Sequence, residues 1–431
     1  MERNRIRDFG IVPGRLETGK RNKITDVPGV KVGHCTVKTE ENHTGITVIV
    51  PGADNAFAQK YTAAAYVHNG FGKSAGLVQV EELGTLETPI ALTNTLNVGK
   101  VWDAMVDIVV EQCEQDGLEP MSINPVVGEC NDSRINQIQK RVVGADEVRQ
   151  AFASASEEFE EGDVGAGAGT ICYGLKGGIG SASRVIRIGE KEYTIGVLVQ
   201  SNFGATEDFV LNGESVGAKI LDWKQEKDDM AASEEDKGSI MSILATDLPL
   251  TSRQLRRILR RTGVGIARTG GYTGHGSGEV MIGFTTANRI PSGAEEELLQ
   301  IQAIPEHVIN RAFLAAAEAE QEAILNSMTA AERTRGLAGE LGHFTLYQNG
   351  IQCACGKRGC YECYASTTAL VRQAKVKDGR TLFTDIQQGN RKLQEVLNNW
   401  LNDVAAGVTG LVHIFNPELV LIGGGVSTQE E

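Results

Sequence analysis

The residues whose chemistry is easiest to foresee are Gly238 and Ser239, which stand where a polar segment meets an apolar one. Residues 225–237 are polar and acidic with almost no large apolar side chains, which predicts an exposed loop. The segment that begins at Ser239 alternates apolar and small residues, a pattern typical of a strand. Because glycine has no side chain to shield its carbonyl, the Ser239 hydroxyl can reach the preceding peptide bond.

A hydroxyl in that position is suited to self-cleavage. If Ser239 attacked the Gly238 carbonyl, the chain would divide and the serine would become a new N terminus. Such a serine combines an attacking oxygen with a free amine as its base, which is the arrangement of an N-terminal-nucleophile hydrolase. The plainer interpretation is that the Gly-Ser pair ends a loop, since such pairs mark many turns. Local sequence alone favours the plainer interpretation.

Three other polar segments could surround this serine, namely residues 125–136, 201–204 and 273–279. Each of them also has an ordinary structural explanation. The first can be a polar loop, and the second can be a turn built on an asparagine that precedes a glycine. The third is a glycine-rich loop whose serine and glutamate carry no signal by themselves. The chemistry of the site therefore cannot be assigned from these segments one by one.

Length and composition limit the class of protein. A chain of 431 residues can form two or three domains, or one large sandwich with an appendage. A formal net charge of −14 argues against a non-specific nucleic-acid binder and suits substrates that carry a free ammonium group. The sequence has no run of about 18 apolar residues, and residues 1–8 lack the apolar core of a signal peptide. We therefore expect a cytoplasmic protein with neither a membrane nor a nucleic-acid partner.

Hydrophobic spacing predicts the elements that must position these residues. Helices are predicted over residues 98–113 and 252–266, each with one apolar face, and an alanine-rich helix over residues 307–331. A strand over residues 194–200 leads into one of the three polar segments. Glycine-rich residues 165–170 lack the spacing of nucleotide-binding loops and fit close backbone packing near a pocket.

Residues 1 to about 335 resemble the DmpA family of L-aminopeptidase/D-esterase and β-peptidyl aminopeptidases. The resemblance rests on motifs that occur in the family's order and cover both subunits of its processed enzyme. They are ITDVPGVKVGH (24–34), PIALTNTLNVG (89–99), PVVGECNDSRIN (125–136), GAGAGTICYGLKGGIGSASR (165–184), VLVQSNFG (197–204), GSIMSILATDLPL (238–250) and ARTGGYTGHGSGEV (267–280).

This resemblance implies an α/β (α+β) fold, a layered α-β-β-α sandwich of the DmpA and ornithine acetyltransferase type that resembles N-terminal-nucleophile hydrolases. The family precursor cuts itself before a serine in the same Gly-Ser motif. A peptidase domain over residues 1–335 would therefore divide into an α chain, residues 1–238, and the start of a β chain, residues 239–335. The family assembles as a tetramer of cleaved pairs, so we expect a homo-oligomer of such αβ units.

Catalytic roles follow from the resemblance residue by residue. Ser239 would be the nucleophile, released by cleavage after Gly238. Asn202 would donate a hydrogen bond to the oxyanion. Ser277 and Glu279 would orient the new amine and relay protons. We expect no cofactor for this peptidase chemistry.

Two further residues are implied to bind the substrate. Glu129 would hold its free amino group as a carboxylate–ammonium pair. Asn131 stands where some family members carry a tyrosine that helps polarise the scissile carbonyl, so its role stays open. The implied function is a serine aminopeptidase or amidase that releases N-terminal residues from small peptides, amino-acid amides or esters. D-residues and β-residues are among the possible substrates.

Residues 336–431 carry a second pattern. Four of the eight cysteines lie within residues 353–363 and the others are scattered, which indicates reduced thiols with one metal candidate. The segment resembles the carboxyl part of the ROK family of sugar kinases and repressors. The motifs that carry this resemblance are GELGH (339–343), CACGKRGCYECYAS (353–366) and FNPELVLIGGGVS (415–427).

The second resemblance implies a structural zinc site of His343, Cys353, Cys355 and Cys360. One imidazole and three thiolates can close a tetrahedral site, and unmetallated thiols are the alternative. A ROK kinase also needs an amino-terminal phosphate loop and an aspartate base, and neither motif is present in the sequence. We therefore expect a partial, small α/β segment without kinase activity. The alternative function, from a different class, is a sugar-binding or regulatory protein that acts through this segment.

Overall fold

A computed structural model describes residues 3–39, 41–225, 238–293, 298–332, 345–353 and 358–415 of the chain. The described residues fall into two compact units, a large one within residues 1–221 and 232–334 and a smaller one within residues 222–231 and 335–431. Residues 226–237, which hold the predicted acidic loop, lie outside the described residues.

The strands of the large unit are β1 (Lys31–Lys38), β2 (His43–Val50), β3 (Gln59–Gly70), β4 (Thr85–Leu86), β5 (Ile90–Asn94), β6 (Val126–Cys130), β7 (Ile171–Cys172), β8 (Leu175–Lys176), β9 (Gly178–Ile188), β10 (Lys191–Asn202), β11 (Val210–Leu211), β12 (Glu214–Ser215), β13 (Ser239–Thr246) and β14 (Gly278–Pro291). Its helices are α1 (Leu77–Leu83), α2 (Val98–Gln115), α3 (Ala145–Ala153), α4 (Gly217–Gln225), α5 (Ser252–Leu259), α6 (Thr262–Arg268) and α7 (Asn310–Thr329).

Two mixed sheets face each other in this unit. The smaller sheet has the strand order β1-β2-β5-β6, and the larger has the order β4-β3-β14-β13-β10-β9. Strands β5 and β6 are parallel, as are β13 and β14, whereas the other neighbours in these two sheets are antiparallel. Strand β13 therefore lies in the interior of the larger sheet, between β10 and β14.

Three apolar cores separate four layers. The first core lies between the sheets and joins residues such as Leu92 of the smaller sheet to Ile243 of the larger one. The second packs α2 and α3, through residues such as Met105, on the outer face of the smaller sheet. The third packs α5, α6 and α7, through residues such as Leu255, on the outer face of the larger sheet. The resulting order of helix, sheet, sheet, helix agrees with the layered sandwich that the first resemblance implies.

The alanine-rich helix α7 packs closely on the larger sheet. A Cβ atom on Gly180 of β9 would lie 2.0 Å from the carbonyl oxygen of Ala323 in α7, so only glycine allows this approach. The same helix buries two carboxylates against the fully buried Arg184. Arg184 donates to Glu322 at 2.7 Å and to Glu318 at 3.3 Å. These pairs compensate a guanidinium whose burial without a partner would be costly.

One segment of the large unit, residues 252–266, differs from the sequence-based expectation. Residues 252–266 form α5 and α6 instead of one helix, with a turn closed by a 2.8 Å hydrogen bond from the Arg261 N–H to the Ile258 carbonyl. This break lets Gly265 meet α7, where a Cβ atom would lie 2.5 Å from the Cβ of Glu320. Tertiary packing thus overrides the local helical pattern.

The other predicted elements of the large unit are largely confirmed. The helix predicted over residues 98–113 is α2, and the one predicted over 307–331 is α7, which follows a short 3₁₀ turn. Strand β10 is longer than predicted, because it continues to Asn202. Asn202 is therefore a strand residue and not a turn residue.

The helices of the smaller unit are α8 (Glu362–Ala365), α9 (Thr367–Ala374), α10 (Gly379–Gln387) and α11 (Arg391–Phe415). Leu370, Leu382, Leu393 and Trp400 form its apolar core. Apart from two isolated β-bridges, the regular structure among its described residues is helical, so the expected α/β character is not seen in them. None of the described helices of the chain is both long and apolar enough to cross a bilayer.

Candidate active site

Ser239 is the first residue of β13, so the predicted start of a strand at this serine is confirmed. It lies directly opposite Asn202 of β10 on one side and Gly278 of β14 on the other. Strand alternation places its side chain on the same face as Met241 and Ile243, which belong to the core between the sheets. The hydroxyl therefore lies between the two sheets, at the end where β13 begins, and the residue is 6% exposed.

The Ser239 hydroxyl contacts the peptide group that it would cleave. Its Oγ donates to the Gly238 carbonyl oxygen at 2.7 Å, and the Gly278 N–H donates to the same oxygen at 3.0 Å. The backbone donor is thus placed where negative charge would develop on that oxygen during self-cleavage. The Gly278 N–H could not be predicted as a donor from the sequence, because every residue except proline has a backbone N–H.

Two glycines beside Ser239 are required by the available space. A Cβ atom on Gly238 would lie 2.2 Å from the Asn202 carbonyl oxygen. One on Gly278 would lie 2.5 Å from the Phe71 carbonyl oxygen and 3.4 Å from Ser239 Oγ. The short contacts are with backbone atoms, so rotation of a side chain cannot relieve them. Only glycine lets these backbone segments approach Ser239 so closely.

Asn202 faces Ser239 through the pairing of β10 and β13. Residues directly opposite each other in antiparallel strands have Cβ atoms roughly 4.5–5.5 Å apart. The Asn202 Oδ1 accepts a hydrogen bond from the Ile171 N–H at 2.9 Å. Because a backbone N–H can only donate, this bond fixes Oδ1 on that side and directs the Nδ2 protons elsewhere. Asn202 can therefore offer N–H donors within the row that contains Ser239.

Ser277 and Glu279 flank Gly278, and the Ser277 hydroxyl donates to the Glu279 carboxylate. Both side chains are fully buried. Glu279 lies opposite Ile240, whose side chain packs with the helix-covered face of the larger sheet, so the Ser239 hydroxyl is on the other face. The pair is consequently better placed to approach the backbone nitrogen of Ser239, which lies in the plane of the sheet, than its hydroxyl.

Glu129 belongs to the facing sheet, at the end of β6, and is 3% exposed. Its carboxylate accepts hydrogen bonds from the Lys73 N–H at 2.8 Å and from the Thr95 hydroxyl. The next residue, Cys130, joins β6 to β13, because its Sγ lies 3.5 Å from the Ser239 carbonyl oxygen. Strand alternation directs the Glu129 side chain to the other face of β6, and its carboxylate is linked to the Gly278 side of the site through the loop that contains Lys73.

Asn131 has a different environment from Glu129. Its side chain is exposed, and its Oδ1 accepts a hydrogen bond at 3.0 Å from the Ser133 N–H in a local turn. Among the described residues, no hydrogen bond links it to Ser239. The structure therefore pairs Asn202 with Ser239, places Ser277 and Glu279 on either side of Gly278, links Glu129 to this region through the loop after β3, and leaves Asn131 at the surface.

The loop after β3 adds two residues that sequence reasoning did not single out. The Phe71 carbonyl faces Gly278, and the Lys73 N–H holds Glu129, so one short loop contacts both halves of the site. The Phe71 ring is 56% exposed, and the Lys73 ammonium lies 4.4 Å from its centre. The glycines that surround these residues in the sequence are the feature that could have indicated the role of this loop.

Burial raises the pKa of the Cys130 thiol well above its ordinary value, so this nearby cysteine stays neutral and would be a poor nucleophile.

A second candidate site lies in the smaller unit. The ligand atoms of Cys353, Glu362 and Cys363 are within 4.8 Å of one another, and the Cys353 thiol donates to a Glu362 oxygen at 3.1 Å. Of the predicted zinc ligands, Cys353 and Cys360 are described and buried, whereas His343 and Cys355 lie outside the described residues. Sequence reasoning did not place Glu362 or Cys363 among the ligands. Thiols and a carboxylate at this spacing fit a zinc ion chemically.

Two facing sheets covered by helices on their outer faces form a layered fold of the kind found in Ntn hydrolases. A model of peptidase family S58 matches residues 22–341. The chain belongs to this family and is a serine-type aminopeptidase, which confirms the first resemblance.

Similar proteins cover most of the chain. The β-peptidyl aminopeptidase BapA of Sphingosinicella xenopeptidilytica is 36% identical over 349 residues, which cover 77% of this chain and 86% of the relative. The crystal structure of the PH0078 protein from Pyrococcus horikoshii has a TM-score of 0.73 at 45% identity and covers 78% of this chain and 94% of its own. The L-aminopeptidase D-Ala-esterase/amidase of Ochrobactrum anthropi, a prototype for the serine aminopeptidases with a variant of the Ntn hydrolase fold, has a TM-score of 0.70 at 34% identity and covers 77% and 92% of the two chains.

The carboxyl segment has a separate relationship. A model of the ROK family matches residues 324–431. This match confirms the second resemblance and overlaps the end of the peptidase match at residues 324–341.

Proposed function

We propose that this protein is a self-processing aminopeptidase or amidase whose nucleophile is Ser239, freed as an N terminus by cleavage after Gly238. The observation that carries the proposal is the position of the Ser239 hydroxyl, which donates at 2.7 Å to the carbonyl oxygen of its own preceding peptide. The Gly278 N–H on the same oxygen supports it, because this contact would stabilise the oxyanion of the processing step.

Processing would exchange an amide for an ester and then hydrolyse the ester. The Ser239 Oγ forms a bond to the Gly238 carbonyl carbon while the bond from that carbon to the Ser239 nitrogen breaks. The proton of the hydroxyl moves to the released nitrogen. Water then hydrolyses the ester, which leaves a Gly238 carboxylate and a serine with a free hydroxyl and a free α-amine.

The freed amine would serve as the base for substrate turnover. Its reference pKa of about 7.7–8.0 lets it accept the hydroxyl proton near neutral pH. Ser277 and Glu279 would orient this amine, since they flank Gly278, the residue that pairs with Ser239 across β13 and β14. Asn202 would donate to the oxyanion of the substrate. Glu129 would pair with the substrate ammonium, so that the N-terminal residue lies between the two sheets.

Small peptides, amino-acid amides and esters are the proposed substrates. The relatives act on residues with different stereochemistry and backbone length, as their names state, so D-residues and β-residues belong in the first substrate panel. We also propose assembly into a homo-oligomer of cleaved αβ units. A para-nitroanilide assay beside a glucose titration separates this function from a sugar-binding one. Turnover without glucose binding supports the proposal, and glucose binding without turnover refutes it.

Recognition of the substrate amine should depend on Glu129. We expect Glu129→Gln to lower kcat/KM roughly 10- to 100-fold for substrates with a free amino terminus, because a charged hydrogen bond is replaced by a neutral one. N-acetylated substrates should be poor for the wild type and unaffected by the substitution. Steady-state kinetics with matched free and acetylated substrates measure both effects.

The control for this prediction is Glu82→Gln, which removes an exposed carboxylate from α1 and should not change the kinetics. Equal turnover of free and acetylated substrates by the wild type would show that Glu129 does not anchor an ammonium.

We propose a structural zinc ion in the ROK-like segment, held by His343, Cys353, Cys355 and Cys360, with Cys363 as a further candidate thiolate. The buried cluster around Cys353 supports this proposal. We expect purified wild-type protein to hold stoichiometric zinc and Cys353→Ser to lose most of it, as measured by elemental analysis. Cys35→Ser, a substitution in the large unit, is the control and should keep the metal. Full zinc content in Cys353→Ser would contradict the proposed site.

A further inference from the structure

Lys176 is a half-buried lysine, with its ammonium enclosed by backbone carbonyls, that the proposed mechanism does not use. It ends β8, in a two-stranded hairpin with β7. Its ammonium donates to three backbone carbonyl oxygens, those of Gly167 at 2.9 Å, Thr170 at 2.9 Å and Gly177 at 2.7 Å. The lysine therefore joins the glycine-rich loop before β7 to the start of β9.

These three acceptors match the three protons of an ammonium group, whereas a neutral amine has only two protons to donate to them. The contacts thus favour the charged form, and they oppose burial, which lowers the pKa of Lys176 to about 7. Among the surrounding charges, Asp163 and Asp132 raise that pKa and Lys38 lowers it. Dipoles of the backbone, aimed at one point, hold a cation at the base of the hairpin.

One of the three carbonyls belongs to the peptide group that holds Asn202. The Thr170 carbonyl and the Ile171 N–H are the two ends of a single planar peptide. The carbonyl end accepts from the Lys176 ammonium at 2.9 Å, and the N–H end donates to the Asn202 Oδ1 at 2.9 Å. A cation at the carbonyl end polarises the peptide and strengthens the hydrogen bond that its N–H makes.

We propose that Lys176 is a positioning residue for the oxyanion contact. Through the Thr170–Ile171 peptide, its ammonium fixes the Asn202 amide with Oδ1 on the hairpin and Nδ2 toward the reacting carbonyl. This inference rests on the proposed function, in which Asn202 is the oxyanion donor. This positioning role would explain why an ammonium is enclosed in the hairpin of β7 and β8, although no side chain of that hairpin lies in the row of residues that contains Asn202 and Ser239.

The contacts that run from Lys176 through the Thr170–Ile171 peptide to Asn202 are called the relay below. Kinetic measurements test whether the relay contributes to stabilisation of the oxyanion. We expect Lys176→Met, which keeps the length of the side chain and removes its charge, to lower kcat about three- to tenfold with little change in KM. In an Asn202→Ala background the same substitution should have no further effect on kcat, because the group that it orients is gone. Lys31→Met, at an exposed position of β1, is the matched control and should leave kcat unchanged.

A spectroscopic measurement tests the relay without relying on activity. The sequence contains Thr followed by Ile at 170–171 and at 194–195. Labelling with ¹³C-carbonyl threonine and ¹⁵N-isoleucine therefore selects two amide signals, one from the relay and one from β10 as an internal control. We expect Lys176→Met to move the Ile171 amide proton upfield, because its hydrogen bond weakens, and to leave the Ile195 proton in place.

The outcomes separate this inference from the proposed function. If the wild type neither cleaves itself nor turns over substrates, the proposed function is wrong, and the Ile171 shift alone decides the relay. An unchanged Ile171 shift, or an equal loss of kcat in the wild-type and Asn202→Ala backgrounds, would overturn it. If Lys176→Met does not fold, Lys176→Gln, which keeps a donor but not the charge, takes its place with the same expected results.

Discussion

Ser239→Ala is expected to remain a single chain and to lose aminopeptidase activity by a factor on the order of 10⁶, the scale seen when a serine hydrolase loses its nucleophile. The substitution removes the oxygen that contacts the Gly238 carbonyl at 2.7 Å, so neither processing nor acyl transfer has an attacking atom. Alanine should fit at this position without strain, because it is smaller than the serine that it replaces. Denaturing gel analysis and a para-nitroanilide assay measure the two effects.

Two further variants make this result specific. Ser215→Ala changes an exposed serine of β12 and should process and turn over as the wild type does. Ser239→Cys keeps a nucleophilic atom, so slow processing is expected to survive in it. Residual activity in unprocessed Ser239→Ala above a small fraction of wild type would mean that another group attacks the substrate.

Asn202→Ala is expected to lower kcat by roughly 10²- to 10³-fold with a small change in KM, the typical effect of removing one oxyanion donor. The reason is geometric, because the Ile171 N–H holds Oδ1 and directs Nδ2 toward the row of Ser239. The loss should appear in kcat because the contact is stronger in the transition state than with the bound substrate. Steady-state kinetics on a free-amine amide substrate give both constants.

Asn202→Asp refines the same prediction. The aspartate keeps an acceptor for the Ile171 N–H but has no N–H to offer, so its kcat should fall at least as far as that of Asn202→Ala. Asn310→Asp, at the exposed start of α7, makes the same chemical change away from the site and should have no effect. A kcat within twofold of wild type for both Asn202 variants would assign the oxyanion contact to another donor.

The start of β13 was predictable from sequence, because the change from acidic residues to alternating apolar ones occurs at Ser239 itself. The pairing of Asn202 with Ser239 was not. It depends on the register of two strands that are distant in the sequence, and register is set by how whole sheets pack. The resemblance supplied the role of Asn202, and the structure supplies the geometry in which that role is physically reasonable.

Backbone hydrogen-bond donors and helix breaks that are imposed by tertiary packing could also not be predicted from the sequence. The Gly278 N–H donates to the Gly238 carbonyl, yet the residue type says only that space is short there. Residues 252–266 have the apolar spacing of one helix, but Gly265 must meet α7, and the helix breaks to allow it. Asn131 shows the opposite kind of error. It belongs to a motif that the resemblance places at the pocket, yet it lies exposed in a local turn.

Denaturing mass spectrometry of the purified wild-type chain tests the central claim most directly. Self-cleavage after Gly238 predicts two fragments, residues 1–238 and 239–431, the second beginning Ser239-Ile240-Met241. N-terminal sequencing of the second fragment would confirm the freed serine. An intact wild-type chain that still releases N-terminal residues from amide substrates would contradict the account, because Ser239 would then act without a free amine.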